Sequence, residues 1–186
     1  NSVTMVGKAD MHAGGVVANT GLALQKFGVN TELNGKIGND DFGRIVLKQL
    51  GNAKGMKVSE NEETSYAICI APPGIDRFYL HYPGVNDGYD VDDIDYENIK
   101  TAKLFHFGYP PLFPKLYKNN GKRLADVFIK AKALGATTSL DMCGVDETDE
   151  SGKADWSSII RRIIPYVDIF VPSADELCFM IDRERY

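Results

Sequence analysis

The second half of the chain alternates between β-strand and α-helix patterns, and this alternation restricts the fold more than any other feature of the sequence. The alternating stretches are a strand over residues 103–107, a helix over 121–134, a strand over 137–141, a helix capped by Asp155, a strand over 168–171 and a helix that begins at Ala174. Strands that are separated by helices pair in parallel, so the pattern predicts an α/β fold with a doubly wound, mostly parallel sheet.

Ligands bind to such a sheet outside the carboxyl ends of its strands. Tyr109 follows the strand predicted over residues 103–107, Asp141 ends the next strand, and residues 172–173 follow the last one. We therefore expect these residues to meet at one edge of the sheet, together with a glycine pair near the start of the chain.

That pair, Gly14 and Gly15, precedes a run rich in Ala and Leu that ends before Gly28. The run predicts a helix that begins at the glycines. Glycines let the backbone approach a bound molecule closely because no Cβ intervenes, and the first N–H groups of a helix are free to donate. Asn19 lies in the first turn, where its amide suits a sugar diol. A strand-to-helix turn with a capping Asn explains the same residues without a ligand.

A second glycine-rich turn, residues 35–43, follows a strand predicted over residues 31–37. Asp40 stands in this turn, and apolar residues at positions 42, 45, 46 and 50 recur after it at helical spacing. Asp40 therefore caps a second helix, shapes a ligand pocket, or does both.

The two turns together resemble the N-terminal signature of the ribokinase-like carbohydrate kinases (the ribokinase/phosphofructokinase-B family). That signature has a Gly-Gly-x-x-x-Asn turn, a helix, a Gly, a strand and a Gly-x-x-Gly-x-Asp-x-x-Gly turn. The matching residues are Gly14, Gly15, Asn19, Gly28, Gly35, Gly38, Asp40 and Gly43.

The resemblance implies ATP-dependent phosphorylation of a sugar hydroxyl, with this chain as the sugar-binding part of the enzyme. Two alternatives remain open: a nucleoside kinase of the same family, and a non-catalytic sugar-binding or dimerising fragment. The sugar contacts that the resemblance implies are Gly14, Gly15, Asn19, Gly38, Asp40, Asn86, Tyr109, Asp141 and His12. Val16 and Tyr109 stand at variable positions of the family, so the sequence does not indicate which sugar is bound.

Residues 66–71 and 77–82 are β-rich runs joined by a turn at 72–76, which predicts a β-hairpin. By resemblance the hairpin is a lid over the sugar, and the family allows a homodimer formed through it. The implied division is an incomplete α/β core over residues 14–60 and 89–186, and a β lid over 1–13 and 61–88.

Two of the implied sugar contacts flank these lid segments. His12 lies in an extended segment just before the glycine pair, and an exposed strand histidine explains it equally well. Asn86 follows the hairpin, and a simple turn residue is its alternative explanation.

Ser173 and Glu176 look like the Asn-x-x-Glu motif of the family, with Ser173 at the position of the Asn. The resemblance implies that Glu176 acts on Mg²⁺ through water, that ATP is the co-substrate, and it allows a monovalent cation. A first-turn carboxylate that stabilises a helix N-terminus explains Glu176 without a metal.

Other parts of the family pattern have no match in the sequence. No segment after Glu176 resembles the Gly-Ala-Gly-Asp segment that supplies the catalytic Asp, and the earlier core strand with a sugar-binding Asp is also missing. We therefore assign no catalytic base, expect the chain to be inactive alone, and expect its last helix to run to Tyr186.

Composition excludes several other classes of function. A net charge of −5 argues against nucleic acid or an anionic membrane as the main partner. No apolar run approaches the roughly 20 residues of a membrane span, and no signal-peptide pattern opens the chain. Three widely spaced cysteines predict reduced thiols in the cytoplasm, with neither a disulfide nor a zinc site.

Overall fold

Strands and helices alternate along most of the chain. The computed structural model describes residue 3, residues 5–51 and residues 54–186. The strands are β1 (Asn34–Gly38), β2 (Gly55–Ser59), β3 (Tyr66–Ile70), β4 (Phe78–Tyr82), β5 (Leu104–Gly108), β6 (Thr137–Asp141) and β7 (Ile169–Phe170). The α-helices are α1, in which a π-helical turn (Val17–Leu22) precedes an α-helical turn (Ala23–Lys26), α2 (Asp41–Leu50), α3 (Val85–Gly88), α4 (Tyr96–Ile99), α5 (Pro114–Ala133), α6 (Glu150–Lys153), α7 (Trp156–Ile163) and α8 (Ala174–Ile181). Short 3₁₀ turns lie at Val91–Asp93, Pro110–Leu112 and Ile164–Tyr166. Within these described residues, no helix is both long and apolar enough to cross a bilayer.

The predicted α/β fold with parallel strands is confirmed. β5, β6 and β7 form a parallel sheet in that order, with Leu104 opposite Thr137 and Gly108 opposite Asp141. β1 and β2 form a second parallel sheet, and β3 and β4 form the predicted antiparallel hairpin. The parallel pairing is thus divided between two sheets, and β2 is a strand that the sequence did not predict.

The core lies between the β5–β6–β7 sheet and the helices α5 and α7. Phe105, Phe107 and Leu140 lie on one face of this sheet, and Phe128 of α5 packs edge-on against both phenylalanines at ring-centroid distances of 6.0 and 6.3 Å. The apolar face predicted for the helix over residues 121–134 is confirmed, since its members Leu124, Val127, Phe128 and Ala131 are fully buried. The predicted cap of α7 is also confirmed, because the Asp155 carboxylate accepts the Ser158 N–H at 3.0 Å.

Helix α5 begins seven residues earlier than predicted, at Pro114 rather than at residue 121. The reason is a break within it: Asn119, Asn120 and Gly121 all adopt left-handed backbone conformations, with φ of 54°, 52° and 67°. Asn and Gly are the residues that adopt this conformation most readily. The predicted start at 121 therefore marks the place where regular helix resumes.

Two predictions about the ends of the chain are wrong. Helix α8 ends at Ile181, because Asp182 leaves the helical region with φ of −152° and ψ of 72°, so the helix does not run to Tyr186. The lid strand expected within residues 2–13 is also not formed: among the described residues before Gly14, none lies in a strand. Residues 1, 2 and 4 of the predicted lid lie outside the described part of the chain.

Candidate functional site

The carboxyl end of β5 meets the start of α1, and the carboxyl end of β6 lies next to it in the sheet. Gly108 lies opposite Asp141 in the sheet, and the next residue, Tyr109, donates its N–H to the Asp141 carbonyl at 3.2 Å. Val16 sits directly against Gly108: a Cβ added to Gly108 would lie 2.7 Å from the Val16 Cβ, closer than real contacts allow. Only glycine at position 108 therefore lets α1 begin against the end of β5.

The glycine pair is open to solvent at this edge. A Cβ added to Gly14 or to Gly15 would meet no atom within 4 Å, so the space over both residues is free. Gly15 has φ of +70°, a conformation that other residues adopt only with strain, whereas Gly14 does not lie in that region. Gly15 is thus needed for the turn itself, and Gly14 leaves room above the turn.

Asn19 and Tyr109 meet beside the glycines although 90 residues separate them in the sequence. The Asn19 Nδ2 donates to the Tyr109 hydroxyl at 3.4 Å. Asn19 belongs to the π-helical turn of α1, a conformation found frequently at functional sites. Tyr109 adopts a left-handed backbone, with φ of 65° and ψ of 45°, a strain that costs on the order of 1–2 kcal/mol for a residue with a Cβ. Both backbone irregularities lie at the predicted site.

A histidine that the sequence did not single out, His106, lies on β5 two residues before Gly108. His106 alternates with Phe105 and Phe107, so it faces away from the core, on the same face as Gly108. Its Nδ1 lies 2.9 Å from the Ser139 Oγ, and its buried Nε2 has no hydrogen-bond partner within the described part of the chain. The alternation of β5 was the available signal, because a period of two separates His106 from its phenylalanine neighbours.

The electrostatics of this face disfavour charge on both ionisable groups. Burial lowers the pKa of His106, and the nearby Asp141 carboxylate partly opposes this. Burial also raises the pKa of Asp141, with Glu176 adding to the rise, while the Met142 N–H and His106 act against it. A bound cation, or a hydroxyl that donates a hydrogen bond to Asp141, would favour the ionised form of that carboxylate.

Both carboxylate oxygens of Asp40 accept hydrogen bonds from within the protein. Its Oδ1 accepts the Gly43 N–H at 2.7 Å and the Thr64 hydroxyl at 2.7 Å, and its Oδ2 accepts the Thr64 N–H at 2.6 Å. The Gly38 N–H donates to the Thr64 Oγ1 at 2.9 Å, and a Cβ on Gly38 would lie 2.4 Å from the Glu62 carbonyl oxygen. Asp40 caps α2, and together with Gly38 it ties the start of that helix to the base of the hairpin.

Thr64 is a further residue that the sequence did not indicate. It is 3% exposed and lies two residues before β3, so its bonds to Gly38 and Asp40 fix the start of the hairpin. The end of the hairpin is fixed by the Val85 N–H, which donates to the Glu63 carbonyl at 2.8 Å.

His12 and Asn86 lie on the two chain segments that flank the glycine turn and the hairpin. His12 is exposed, in the extended stretch just before Gly14. Asn86 is half-buried in α3, directly after the hairpin, where its N–H donates to the Pro83 carbonyl at 3.0 Å.

Glu176 forms a reciprocal cap with Ser173 at the start of α8. The Ser173 N–H donates to the Glu176 Oε2 at 2.7 Å, and the Glu176 N–H donates to the Ser173 Oγ at 3.2 Å. Glu176 also lines a small cavity of about 80 Å³ with Cys143 and Gly144, which follow β6. Burial, followed by the charges of Glu176 and Asp141, raises the pKa of Cys143 to about 12. The side chain thus has a structural role and still lies near Asp141.

No described group of three or more His, Cys, Asp or Glu side chains is arranged to hold a metal ion by itself. The three cysteines are free thiols in this structure. Any metal at this edge would therefore need ligands beyond these side chains, such as water or substrate oxygens.

Comparison with known proteins adds a match along nearly the whole chain. Residues 1–185 match the model of the pfkB family carbohydrate kinases. The chain belongs to this carbohydrate kinase family. The resemblance found from the two glycine turns to the start of α8 is thereby confirmed, and the match also covers the β5–β7 sheet.

Named relatives agree with this membership. Probable fructokinase-3 of Arabidopsis thaliana is 28% identical over 134 residues, which are 69% of this chain and 38% of the relative. The matched residues therefore span well under half the length of that relative.

Solved structures show the same fold. Fructokinase from Xylella fastidiosa with bound ATP superimposes with a TM-score of 0.74 at 20% identity, over 92% of this chain and 53% of that one. An uncharacterized sugar kinase from Pyrococcus horikoshii in complex with ATP gives 0.71 at 20% identity, over 93% of this chain and 57% of that one.

Proposed function

We propose that the parent protein is an ATP-dependent sugar kinase and that this chain supplies its sugar-binding site. The observation that carries the proposal is the free space over Gly14 and Gly15, which lies beside Asn19, Tyr109 and Asp141 at the carboxyl edge of the parallel sheet. Backbone N–H groups, an amide and a carboxylate at one open edge supply the hydrogen-bond donors and acceptors that a polyhydroxylated ligand needs.

In this proposal Gly14 and Gly15 let the sugar ring approach the backbone, and Asn19 and Tyr109 donate to or accept from its hydroxyl groups. Asp141 accepts a hydroxyl proton in a hydrogen bond, and His12 and Asn86 contact the sugar from the two flanking segments. Gly38 and Asp40 shape the pocket from behind, because their own polar groups are engaged with Thr64. D-Fructose is the first sugar to test, since the named relatives are fructokinases.

A binding measurement, which needs no catalytic turnover, distinguishes a sugar kinase from a nucleoside kinase. Isothermal titration of the intact parent protein with D-fructose, D-glucose, D-ribose and adenosine should show binding of at least one sugar in preference to adenosine. Preferred binding of adenosine would instead assign the nucleoside kinase alternative. A protein that binds sugar but never consumes ATP would be the non-catalytic alternative.

We also propose that ATP is bound, and the catalytic base supplied, by a part of the family fold that this chain does not span. The match to a relative covers only 38% of that relative, and the chain has no assigned base, so we expect it to be inactive alone. In the complete enzyme a sugar hydroxyl would attack the γ-phosphate in line, while positioned donors stabilise the developing charge.

Magnesium fits the acidic edge of the sheet. Carboxylate oxygens and water are the ligands it prefers, and Glu176 already raises the pKa of the nearby Asp141, a repulsion that a cation would remove. In the proposal Glu176 holds Mg²⁺ through water, and the ion supplies neutralisation of phosphate charge. A monovalent cation remains part of the same proposal, without a residue assigned to it.

Replacing Glu176 by glutamine in the intact parent should lower turnover about tenfold or more and raise the Mg²⁺ concentration needed for half-maximal activity. Glutamine can still accept the Ser173 N–H, so the cap of α8 is kept and folding should be unaffected. The measurement is initial rate against Mg²⁺ concentration, with Glu184→Gln beyond the end of α8 as the matched control. An unchanged Mg²⁺ dependence would remove Glu176 from the metal site.

The hairpin is proposed as a lid that a second copy of the protein also covers. Tyr66, Ile68, Ile70, Phe78, Leu80 and Tyr82 share one face through their cross-strand pairing, and each is between 36% and 53% exposed. A two-stranded hairpin with such a face is marginal unless it packs against something. Light scattering of the intact protein should give a dimer mass, and a Leu80→Glu variant should shift it toward the monomer. A monomer in both proteins would contradict the dimer.

Free thiols at all three cysteines are compatible with a cytoplasmic location, which we propose as well.

A further inference from the structure

One side chain at the end of α2 is bonded to the backbone of the segment that leads into the glycine pair. The Gln49 Nε2 donates to the Met11 carbonyl at 2.7 Å, and the Gln49 Oε1 accepts the Ala13 N–H. Donating to residue 11 and accepting from residue 13 reproduces the pattern that a neighbouring β-strand would present. The amide therefore serves as a short substitute for a strand partner.

This attachment matters because little else holds the segment. Residues 5–12 are exposed and lie in neither helix nor strand. Within the described chain, the two bonds from Gln49 are the hydrogen bonds recorded for residues 5–13. Ala13 alone is half-buried, packed against the small cluster of Ala18, Leu33 and Leu50.

Helix α2 thus anchors two segments: the one that leads into the open glycine turn, and the start of the hairpin. Just before its first turn, the carboxylate of the capping residue Asp40 holds Thr64 at the base of the hairpin. In its last turn, Gln49 holds Met11 and Ala13 next to Gly14. One rigid element therefore sets the position of two chain segments that are far apart in the sequence.

We propose that Gln49 is a positioning residue of the sugar site. It does not touch the sugar; it fixes residues 11–13 and so sets the direction in which the chain enters Gly14 and Gly15. Without the clamp, sugar binding must first order this segment, and the cost of ordering weakens the observed affinity. The inference rests on the proposed sugar-binding function of the same edge.

The test uses three variants of the intact parent protein. Gln49→Met keeps the length of the side chain and removes both hydrogen bonds, and Gln49→Glu keeps an acceptor for Ala13 but has no donor for Met11. Lys48→Ala changes the exposed neighbour in the same turn and is the matched control. The readouts are amide hydrogen exchange at Ala13, thermal unfolding, binding of D-fructose, D-glucose and D-ribose, and the KM for sugar and for ATP.

Gln49→Met should speed exchange of the Ala13 amide and weaken sugar binding about tenfold, as expected for the loss of two hydrogen bonds. The KM for sugar should rise with the KM for ATP unchanged, Gln49→Glu should be intermediate, and unfolding should match that of Lys48→Ala. A purely structural role would lower the unfolding midpoint and leave the ratio of the two KM values unaltered.

Three further results would overturn the proposal, and they differ from one another. Unchanged Ala13 exchange in Gln49→Met would show that the clamp is not present in solution. Faster exchange with unchanged sugar affinity would show that the clamp does not position the site. Absence of sugar binding by the unaltered protein would remove the proposed function itself, and the positioning role with it, whatever the exchange result.

Discussion

Replacing Gly14 by valine is expected to weaken sugar binding by the intact protein at least about tenfold while leaving its free energy of unfolding nearly unchanged. A side chain at position 14 meets no protein atom within 4 Å, and the backbone there is not in the left-handed region, so the fold should accept it. The added methyl groups would fill the space in which the sugar is proposed to lie. Titration calorimetry and thermal unfolding measure the two quantities separately.

The matched control for this variant is Gly7→Val. Gly7 is exposed in the same segment and also has no atom within 4 Å of an added Cβ, but it lies seven residues from the proposed site. It should bind sugar as the unaltered protein does. Equal affinities of Gly14→Val and Gly7→Val would place the sugar elsewhere. Gly15→Ala should behave differently from both, because its φ of +70° predicts a loss of stability of about 1 kcal/mol.

Replacing Asp40 by alanine is expected to destabilise the protein by about 3 kcal/mol. The change removes the cap of α2 and leaves the N–H and hydroxyl of Thr64, a residue only 3% exposed, without their acceptor. Urea unfolding at neutral pH gives the free energy directly. Asp41→Ala is the control: its carboxylate is exposed and, within the described residues, pairs only with Arg44 on the surface, so its loss should cost less than about 1 kcal/mol. Equal losses in the two variants would show that the bonds to Thr64 contribute little.

The effect of Asp40 should also depend on pH. Burial alone would raise the pKa of Asp40, but the hydrogen bonds from Thr64 and Gly43 and the charge of Arg44 together lower it below the usual 3.8. A carboxylate whose pKa is lowered in the folded state binds protons more readily when unfolded. Its contribution is therefore complete above the ordinary pKa and is lost as the pH falls through the folded pKa. The difference in free energy of unfolding between the unaltered protein and Asp40→Ala should therefore become smaller as the pH falls through that range. A difference that stays constant would contradict the claim that the ionised carboxylate is the stabilising form.

The parts of the fold that could be predicted are those in which local pattern and packing agree. The strand over residues 137–141 was predicted at its observed bounds, because it is a short run with two β-branched threonines that follows Gly135 at the end of a helix. β2 was not predicted, because its sequence, Gly-Met-Lys-Val-Ser, contains a Gly and a Lys, two residue types that are depleted in strands. It becomes a strand through pairing with β1. The division of the parallel strands between two sheets also depends on tertiary pairing, which no local window contains.

The candidate site was predictable as far as single positions carry a physical signal. Glycines at 14 and 15 and the Asn at 19 indicated an open turn, and the structure gives that turn a left-handed Gly15 and free space above it. Thr64, Gln49 and His106 were missed because their partners lie 24 to 38 residues away in the sequence. Their residue types are common on any surface or strand, so only the folded contacts distinguish them.

The most direct measurement on the intact parent protein is phosphorus NMR of a mixture with MgATP and D-fructose, followed over time. A sugar kinase should form ADP and a sugar phosphate in equal amounts, with little ADP formed when the sugar is omitted. If fructose gives no product, D-glucose and D-ribose are the next acceptors, with adenosine as the test of the nucleoside alternative. The proposed function would be contradicted if ADP formed without any phosphorylated sugar, or if ATP were not consumed with any of the sugars tested.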